Sequence, residues 1–266
     1  MKESAGEGSR MATAAEPYLT GLTRAGCTKR LNALTATLCG ILPAVVLVWI
    51  RPARGSVLLL SFLLGLVWAN GFEYVYHRSL LHRPKCSLGK GHLLHHATVG
   101  TPCEPDHVTF GASPLSVALV FVVNGIPVVL VDIVLRLGIA AGILIAFSIY
   151  FIALEEMHWR IHLGGWLPPG LRTAREYHLA HHNTPDARFN VFLPLFDLLL
   201  GNLGSDAPLC KRSSKSRLSA LLRSAAEITL AYVCVIALSI LFRYSFSTLG
   251  TRGLDSGSGR VNVRSS

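Results

Sequence analysis

Charged side chains are scarce in this chain, and several long stretches of the sequence contain none. Only 15% of the 266 residues are Asp, Glu, Lys or Arg, whereas 51% are hydrophobic, and the mean hydropathy is +0.45. Soluble domains carry about 25% charged residues, so this composition argues against a soluble protein and favours an integral membrane protein. The net charge of +10 comes from basic residues scattered between the apolar runs. Because they form no basic face beside aromatic residues, we expect no nucleic-acid partner.

The sequence also lacks a CxxC pair, and its six cysteines lie far apart. We therefore expect unpaired thiols and no disulfide framework. Residues 1–27 are rich in Gly, Ala, Ser and Thr and contain no apolar signal-peptide core, so we expect a disordered tail there and no cleavable signal. Residues 246–266 are expected to form a second disordered tail. A single membrane domain is predicted between them, over residues 28–245.

Four charge-free runs are long enough to cross a bilayer as helices. They cover residues 31–50, 56–72, 108–131 and 137–154. A helix of 20 residues is about 30 Å long, which matches the hydrocarbon core of a membrane. The predicted fold is therefore an all-α integral membrane protein with four transmembrane helices in two hairpins. A fifth run, residues 228–242, has only 15 uncharged residues, and whether it spans the membrane stays open.

Basic residues are divided unequally between the two sides that this topology defines. The N-terminal tail, residues 77–113 and residues 158–224 carry 5, 4 and 9 Lys plus Arg on one side, against Arg51, Arg54 and Arg136 on the other. The positive-inside rule places the richer side, with the N-terminus, in the cytoplasm. Ten of the eleven histidines follow or precede spans on this same side. We therefore expect a cytoplasmic, helical histidine-rich cap.

These ten histidines form four short clusters. They are His77 and His82 (HxxxxH), His92, His95 and His96 (HxxHH), His158 and His162 (HxxxH), and His178, His181 and His182 (HxxHH). On a helix, residues three or four apart share a face, so these spacings aim imidazoles into one small volume. The five-residue step of the first cluster fits less well, and we expect the helix to unwind before Pro84 so that both rings turn inward.

Clustered neutral imidazoles are typical ligands of transition metals. Ten exceed the four to six ligands of one ion, so the sequence predicts two ions and leaves open whether one or two histidines lie behind the ligands. The absence of cysteine from the boxes argues against structural zinc, and the position of the boxes at span ends argues against haem. Iron with open positions for O2 is the favoured interpretation. A non-catalytic metal-binding membrane protein is the alternative of another class. A lone histidine such as His107 is more often an ordinary surface or packed residue.

Acidic residues near the boxes are candidates for accepting the second ring N–H of a metal-bound histidine. The candidates are Glu73, Glu155, Glu156 and Asp186, with Asp106 and Asp197 as further possibilities. Glu155 and Glu156 are adjacent and cannot both face inward, so one of them is expected to be solvated or paired with Arg160. Catalytic residues beyond the metal centre cannot be named.

The four ordered boxes resemble those of the fatty acid hydroxylase superfamily, which includes fatty acid 2-hydroxylases, sterol desaturases and carotenoid hydroxylases. The resemblance covers residues 70–201 and includes the closing segments 189–192 and 194–197. It implies two iron ions held by the ten histidines, O2 as co-substrate, a lipid substrate whose apolar chain is hydroxylated, and a separate electron donor of the cytochrome b5, ferredoxin or reductase type.

The HxxxxH and HxxxH boxes are more similar to those of fatty acid 2-hydroxylases than to those of sterol desaturases. The nine residues between His82 and His92 form a shorter link than expected for that group. Desaturation of a lipid or sterol and hydroxylation of a carotenoid, on the same di-iron centre, therefore stay open. So do the position oxidised, the electron donor, the host membrane and the oligomeric state.

Overall fold

The computed structural model describes residues 4–204, and this part of the chain is helical without any strand. Four helical segments are long and apolar enough to cross a membrane: Tyr18–Ile50, Gly55–Leu81, Pro114–Leu135 and Ala140–Leu163. The described residues thus confirm the predicted all-α class and the presence of four helical segments able to span a membrane. The fifth apolar run, the C-terminal tail, Cys210 and Cys234 lie outside the described residues, and the pairing of spans into hairpins stays a prediction.

The helices are named in chain order. They are α1 (Ser4–Ala36), α2 (Leu42–Ile50), α3 (Gly55–Tyr76), α4 (Ser87–Thr98), α5 (Glu104–His107), α6 (Pro114–Leu135), α7 (Ala140–Leu163), α8 (Arg172–Asn183) and α9 (Leu195–Leu199). Two π-helical turns, Thr37–Ile41 and His77–Leu81, join α1 to α2 and extend α3.

The first span begins earlier than its uncharged run suggested, and helix α1 continues back to Ser4 through residues where a disordered tail was expected. Polar residues of α1 have partners elsewhere in the fold. Lys29 Nζ lies 2.7 Å from Glu156 Oε2, and the Asn32 side chain donates to Glu155 across 3.3 Å. These charged and polar positions stay helical because they pack against α7, a contact that a search for uncharged residues does not detect.

The third span begins at Pro114, six residues later than its apolar run. Ser113 caps this helix by accepting a hydrogen bond from Ser116 N, and Pro114 occupies the first turn, where its missing N–H costs nothing. Residues 108–113 instead form a loop. The apolar side chains of Val108 and Phe110 are buried, and the ring of Phe110 packs against those of His77 and His158. The backbone of this loop is thereby free to bond to side chains of α7.

Helices α3 and α7 approach each other through small residues. A Cβ added at Gly65 would lie 2.7 Å from Ala146 Cβ, and one added at Gly142 would lie 2.0 Å from Ser61 Oγ. Small residues allow close packing of helix backbones in membranes, where burial of apolar surface supplies little driving force. Helix α7 is the most buried of the four spans. Helix α7 is therefore the central helix of the four, and its C-terminal end carries the third histidine box.

Candidate metal centre

The structure brings all ten clustered histidines together and divides them into two groups of five. Within each group, the five ring nitrogens lie within 4.8 Å of one another. Site 1 comprises His77, His82, His92, His96 and His181, and site 2 comprises His95, His158, His162, His178 and His182. The eleventh histidine, His107, belongs to neither group. All ten histidines of the four boxes therefore lie in one group or the other.

The four boxes are shared between the sites according to helix geometry. Residues four apart on α4 point to site 1, and the residue between them, His95, turns to site 2. Helix α8 mirrors this arrangement: the residues four apart serve site 2, and His181 turns to site 1. The HxxxxH box lies wholly in site 1 and the HxxxH box wholly in site 2. Each site thus receives two histidines from a span and three from the cap.

The first box reaches one site through a π-helical turn, where the sequence predicted an unwound helix end. On an α-helix, residues five apart differ by about 140° in direction. A π-turn closes its hydrogen bonds between residues five apart, and the turn His77–Leu81 thereby rotates His82 back toward the face of His77. The two ring centroids lie 5.1 Å apart.

Neighbouring ring nitrogens within a site are close to each other. In site 1, Nε2 of His92 lies 2.9 Å from Nε2 of His77 and 3.0 Å from Nε2 of His96. In site 2, Nε2 of His178 lies 3.1 Å from that of His162 and 3.2 Å from that of His182. Two imidazole nitrogens bound at right angles to an ion, each about 2.1 Å from it, would be about 3.0 Å apart. The observed separations therefore fit a first-row transition metal.

Hydrogen bonds from the Nδ1 atoms fix four of the rings. The acceptors are the backbone carbonyl of Phe189 for His77, that of Val108 for His158 at 2.8 Å, that of Ala187 for His181 at 2.6 Å, and Glu104 Oε1 for His162 at 2.8 Å. A ring that donates from Nδ1 presents the lone pair of Nε2. Two rings in each site are thus held in the tautomer that binds a metal.

Burial disfavours the charged form of several cap imidazoles. It lowers the pKa of His92, His95 and His178 well below the usual value, and it lowers the pKa of His82 and of His96 to about 4. Both ring nitrogens of His95 and the Nε2 of His158 are buried without a hydrogen-bond partner. Buried polar atoms without partners are costly, and a metal ion would supply the missing partner.

Sequence comparison agrees with this geometry. The family model for fatty acid hydroxylase matches residues 62–202, which include all four boxes. The chain belongs to the fatty acid hydroxylase family. The resemblance inferred from the boxes is thus confirmed. A solved structure of full-length Scs7p, in which only the hydroxylase domain is visible, is 26% identical, with a TM-score of 0.48 over 66% of this chain and 68% of that one. No curated protein sequence matches the chain.

In this member of the fatty acid hydroxylase family, two of the acidic candidates form hydrogen bonds to the loops whose carbonyl groups accept from histidine rings. Glu73 is buried and accepts from Val191 N at 2.6 Å and from the Asn190 side chain at 3.0 Å. Glu155, also buried, accepts from Gly111 N at 2.9 Å. Both carboxylates thus hold backbone close to a carbonyl that fixes a histidine ring, and neither has a direct hydrogen bond to a ring.

The other candidates are placed differently. Glu156 pairs with Lys29 and with Arg160 Nε, the latter at 2.6 Å, as its position beside Glu155 suggested. Asp186 lies close enough to His82 for its charge to oppose the lowering of that pKa. Asp106 forms an ion pair with Arg24 at 3.3 Å. Asp197 accepts from the backbone N–H groups of Phe189 and Asn190 at 2.9 and 2.7 Å.

Glu104, which the sequence did not single out, is the carboxylate that contacts a ring directly. Within the described residues, it is the only Asp or Glu with a hydrogen bond to a box histidine. Its Oε2 accepts from Gly100 N at 2.8 Å, which anchors the side chain. Glu104 begins the four-residue helix α5, eight residues beyond the end of the second box at His96, so no helical spacing relates it to His162. Only its position before Pro105, at a helix start, could have drawn attention to it.

A cavity of about 170 Å³ reaches both sites. Its walls include His92 of site 1 together with His95 and His158 of site 2. Leu81, Leu88 and Phe110 supply apolar surface, and Gly91 and His107 also line it. The histidine outside the boxes therefore lies beside the candidate metal centre of this family member without belonging to either site. Asp106 and Thr109 add polar surface, so the cavity joins an apolar wall and a polar wall beside both sites.

Proposed function

We propose that this chain is a membrane-bound di-iron oxygenase that hydroxylates the apolar chain of a lipid. The observation that carries the proposal is the pair of five-nitrogen sites. Five neutral imidazoles without thiolates suit an iron ion and leave a position for O2. Membership of the fatty acid hydroxylase family supports a lipid as the substrate and oxidation as the reaction.

In this proposal each of the ten box histidines is a ligand, five for each ion. When bound, the two iron ions would supply the activation of O2. The overall reaction converts a C–H bond, O2, two electrons and two protons into C–OH and water. The electrons are proposed to come from a separate donor protein of the cytochrome b5, ferredoxin or reductase type.

The chain's own residues would orient the substrate and exclude water. Leu81, Leu88 and Phe110 form an apolar wall that favours a hydrocarbon segment over water. The same cavity presents rings from both sites, so a substrate carbon held there would be close to both groups of histidines. Phe189, Val108, Ala187 and Glu104 keep four rings in the metal-binding tautomer. The cavity is the proposed reaction chamber.

The site is proposed to face the cytoplasm. The basic residues that flank the spans support this orientation, since the side of the cap carries most of them. A centre at span ends suits a substrate that stays in the bilayer with its chain. It also leaves the cap accessible to a soluble or membrane-anchored electron donor.

Iron analysis combined with lipidomics tests the proposal. Purified protein should contain close to two iron ions per chain, and cells expressing it should accumulate a lipid with one added oxygen atom. His95→Ala should abolish this product and lower the iron content, while His107→Ala, a histidine outside both sites, should retain both ions. A chain that binds no iron, or lipids that gain no oxygen, would refute the proposal. A lipid that loses two hydrogens instead would identify a desaturase on the same centre.

A further inference from the structure

The closing segment, residues 193–204, exposes an uncharged apolar surface beside the metal centre. Its leucines are exposed to 46% at Leu193, 62% at Leu198, 65% at Leu199, 48% at Leu200 and 39% at Leu203. The only charged residue of the segment is Asp197, which is fully buried and bound to the backbone of Phe189 and Asn190. In water this segment would expose a continuous row of leucine side chains, and such an apolar patch is typical of an interaction surface.

Contacts with α3 fix the depth of this segment. A Cβ at Gly71 would lie 2.7 Å from Phe196 Cζ, and the Asn70 side chain donates to Leu193 O across 2.8 Å. Gly71 follows the start of α3 at Gly55 by about 24 Å along the helix axis. The hydrocarbon core is about 30 Å thick. If the core begins where the span begins, helix α9 packs on α3 within the hydrocarbon region.

The same face of α3 supplies a second argument. Leu59, Leu63 and Val67 are exposed to 62%, 49% and 47%, and they follow each other at four-residue steps. Residues four apart share a face of a helix, and the next residue of this row is Gly71, where Phe196 covers the helix. Helix α9 thus continues the row of apolar residues that a membrane-spanning α3 turns toward lipid.

We propose that the leucine face of residues 193–204 contacts the acyl chains of the bilayer, as a short re-entrant element beside α3. The surface is continuous with the lipid-facing side of the span, and it contains no exposed charge that would oppose insertion. Through Asp197 the element holds Phe189, whose carbonyl accepts from His77 of site 1. Two hydrogen bonds, one between Asp197 and Phe189 and one between Phe189 and His77, therefore connect α9 with site 1.

Photolabelling of the full chain tests this inference. The protein is reconstituted into phosphatidylcholine vesicles that contain a phosphatidylcholine with a diazirine in the middle of one acyl chain. Trypsin then separates three informative peptides, since Lys and Arg bound residues 55–78, 176–188 and 189–211. Residues 55–78 report the span α3, and residues 176–188 report the cap helix α8.

We expect label at Leu198, Leu199 and Leu200 at a level comparable to that of the span peptide and several-fold above that of the cap peptide. Leu199→Glu should reduce the label on residues 189–211 several-fold without changing that on residues 55–78, whereas Leu199→Ile should leave both unchanged. Label on residues 189–211 no higher than on the cap peptide would overturn the inference. That outcome would mean that water, residues 205–266 or a second copy of the chain covers the leucines. The measurement on the unmodified chain decides this even if the Glu variant fails to fold.

Discussion

Removing the carboxylate of Glu104 should loosen one metal and spare the other. Glu104 contacts His162, a member of site 2, through a 2.8 Å hydrogen bond between two side chains that are 10% and 0% exposed. A hydrogen bond to a charged group contributes about 1.5–3 kcal/mol. Loss of such a partner behind a metal ligand typically lowers metal affinity by about ten- to a hundredfold.

The two available substitutions should differ in degree. Glu104→Ala removes both acceptors and should give the full loss at site 2. Glu104→Gln keeps one carbonyl oxygen for His162 but turns an amide N–H group toward Gly100 N, so it should give a smaller loss. Glu156→Gln is the matched control, because Glu156 bonds to Lys29 and Arg160 and to no histidine.

The assay is iron content per chain after dialysis against increasing concentrations of a chelator. Wild-type protein and Glu156→Gln should release both ions at similar chelator concentrations. Glu104→Ala should release one ion at about ten- to a hundredfold less chelator and hold the other as wild type does. Parallel loss of both ions, or retention equal to that of wild type, would refute the assignment of Glu104 to site 2.

Three further predictions test the cavity, the helix packing and the protonation of the sites. Gly91 lines the cavity, and a Cβ at this position meets nothing within 4 Å. The series Gly91→Ala, Val and Leu should therefore progressively lower kcat/KM for the lipid, by about tenfold or more for Leu, while both irons are retained. Equal activity across the series would contradict the role of the cavity. Gly65→Val should lower the free energy of unfolding by about 1–3 kcal/mol, measured as a lower Tm, because its Cβ would lie 2.8 Å from Ile143 Cα. Gly55→Val is the control and should leave Tm nearly unchanged, because the space around Gly55 is open. Equal Tm values for the two variants would refute the close packing. Burial lowers the pKa of His82 and His96 from 6.5 to about 4, so the unfolded chain binds more protons than the folded chain in that pH interval. Metal-free protein should therefore keep its full stability above pH 6.5 and lose stability as the pH falls toward about 4. A Tm independent of pH in this range would be inconsistent with buried neutral rings.

The sequence predicted the parts of the site that depend on helical periodicity and on topology. Spacings of four residues placed pairs of rings in one site, and counting spans placed all four boxes on one side. The π-helical turn at His77–Leu81 was not predictable, because nothing in the HxxxxH spacing distinguishes a widened turn from a frayed helix end. The assignment of His95 to the site opposite its neighbours depends on how α4 is rotated against α7, which is a tertiary property.

Contacts between distant segments also escaped sequence reasoning. Glu104 and His162 are 58 residues apart, and their contact forms only when α5 lies against the end of α7. Charge-free runs gave the membrane spans but misplaced their ends. Helix α1 accommodates Lys29 by pairing it with Glu156, and residues 108–113 leave the helix despite their apolar composition because the Ser113 cap and Pro114 set its start.

The division of the histidines gives the helices unequal influence over the centre. His77 and His82, at the end of the second span, belong to site 1 and the two rings on α7 belong to site 2, so a disturbance of either span acts on one site. Helices α4 and α8 each carry rings of both sites within one turn. A rotation of either cap helix would withdraw ring nitrogens from both sites together, so a partner protein that binds α4 or α8 would act on both candidate sites at once.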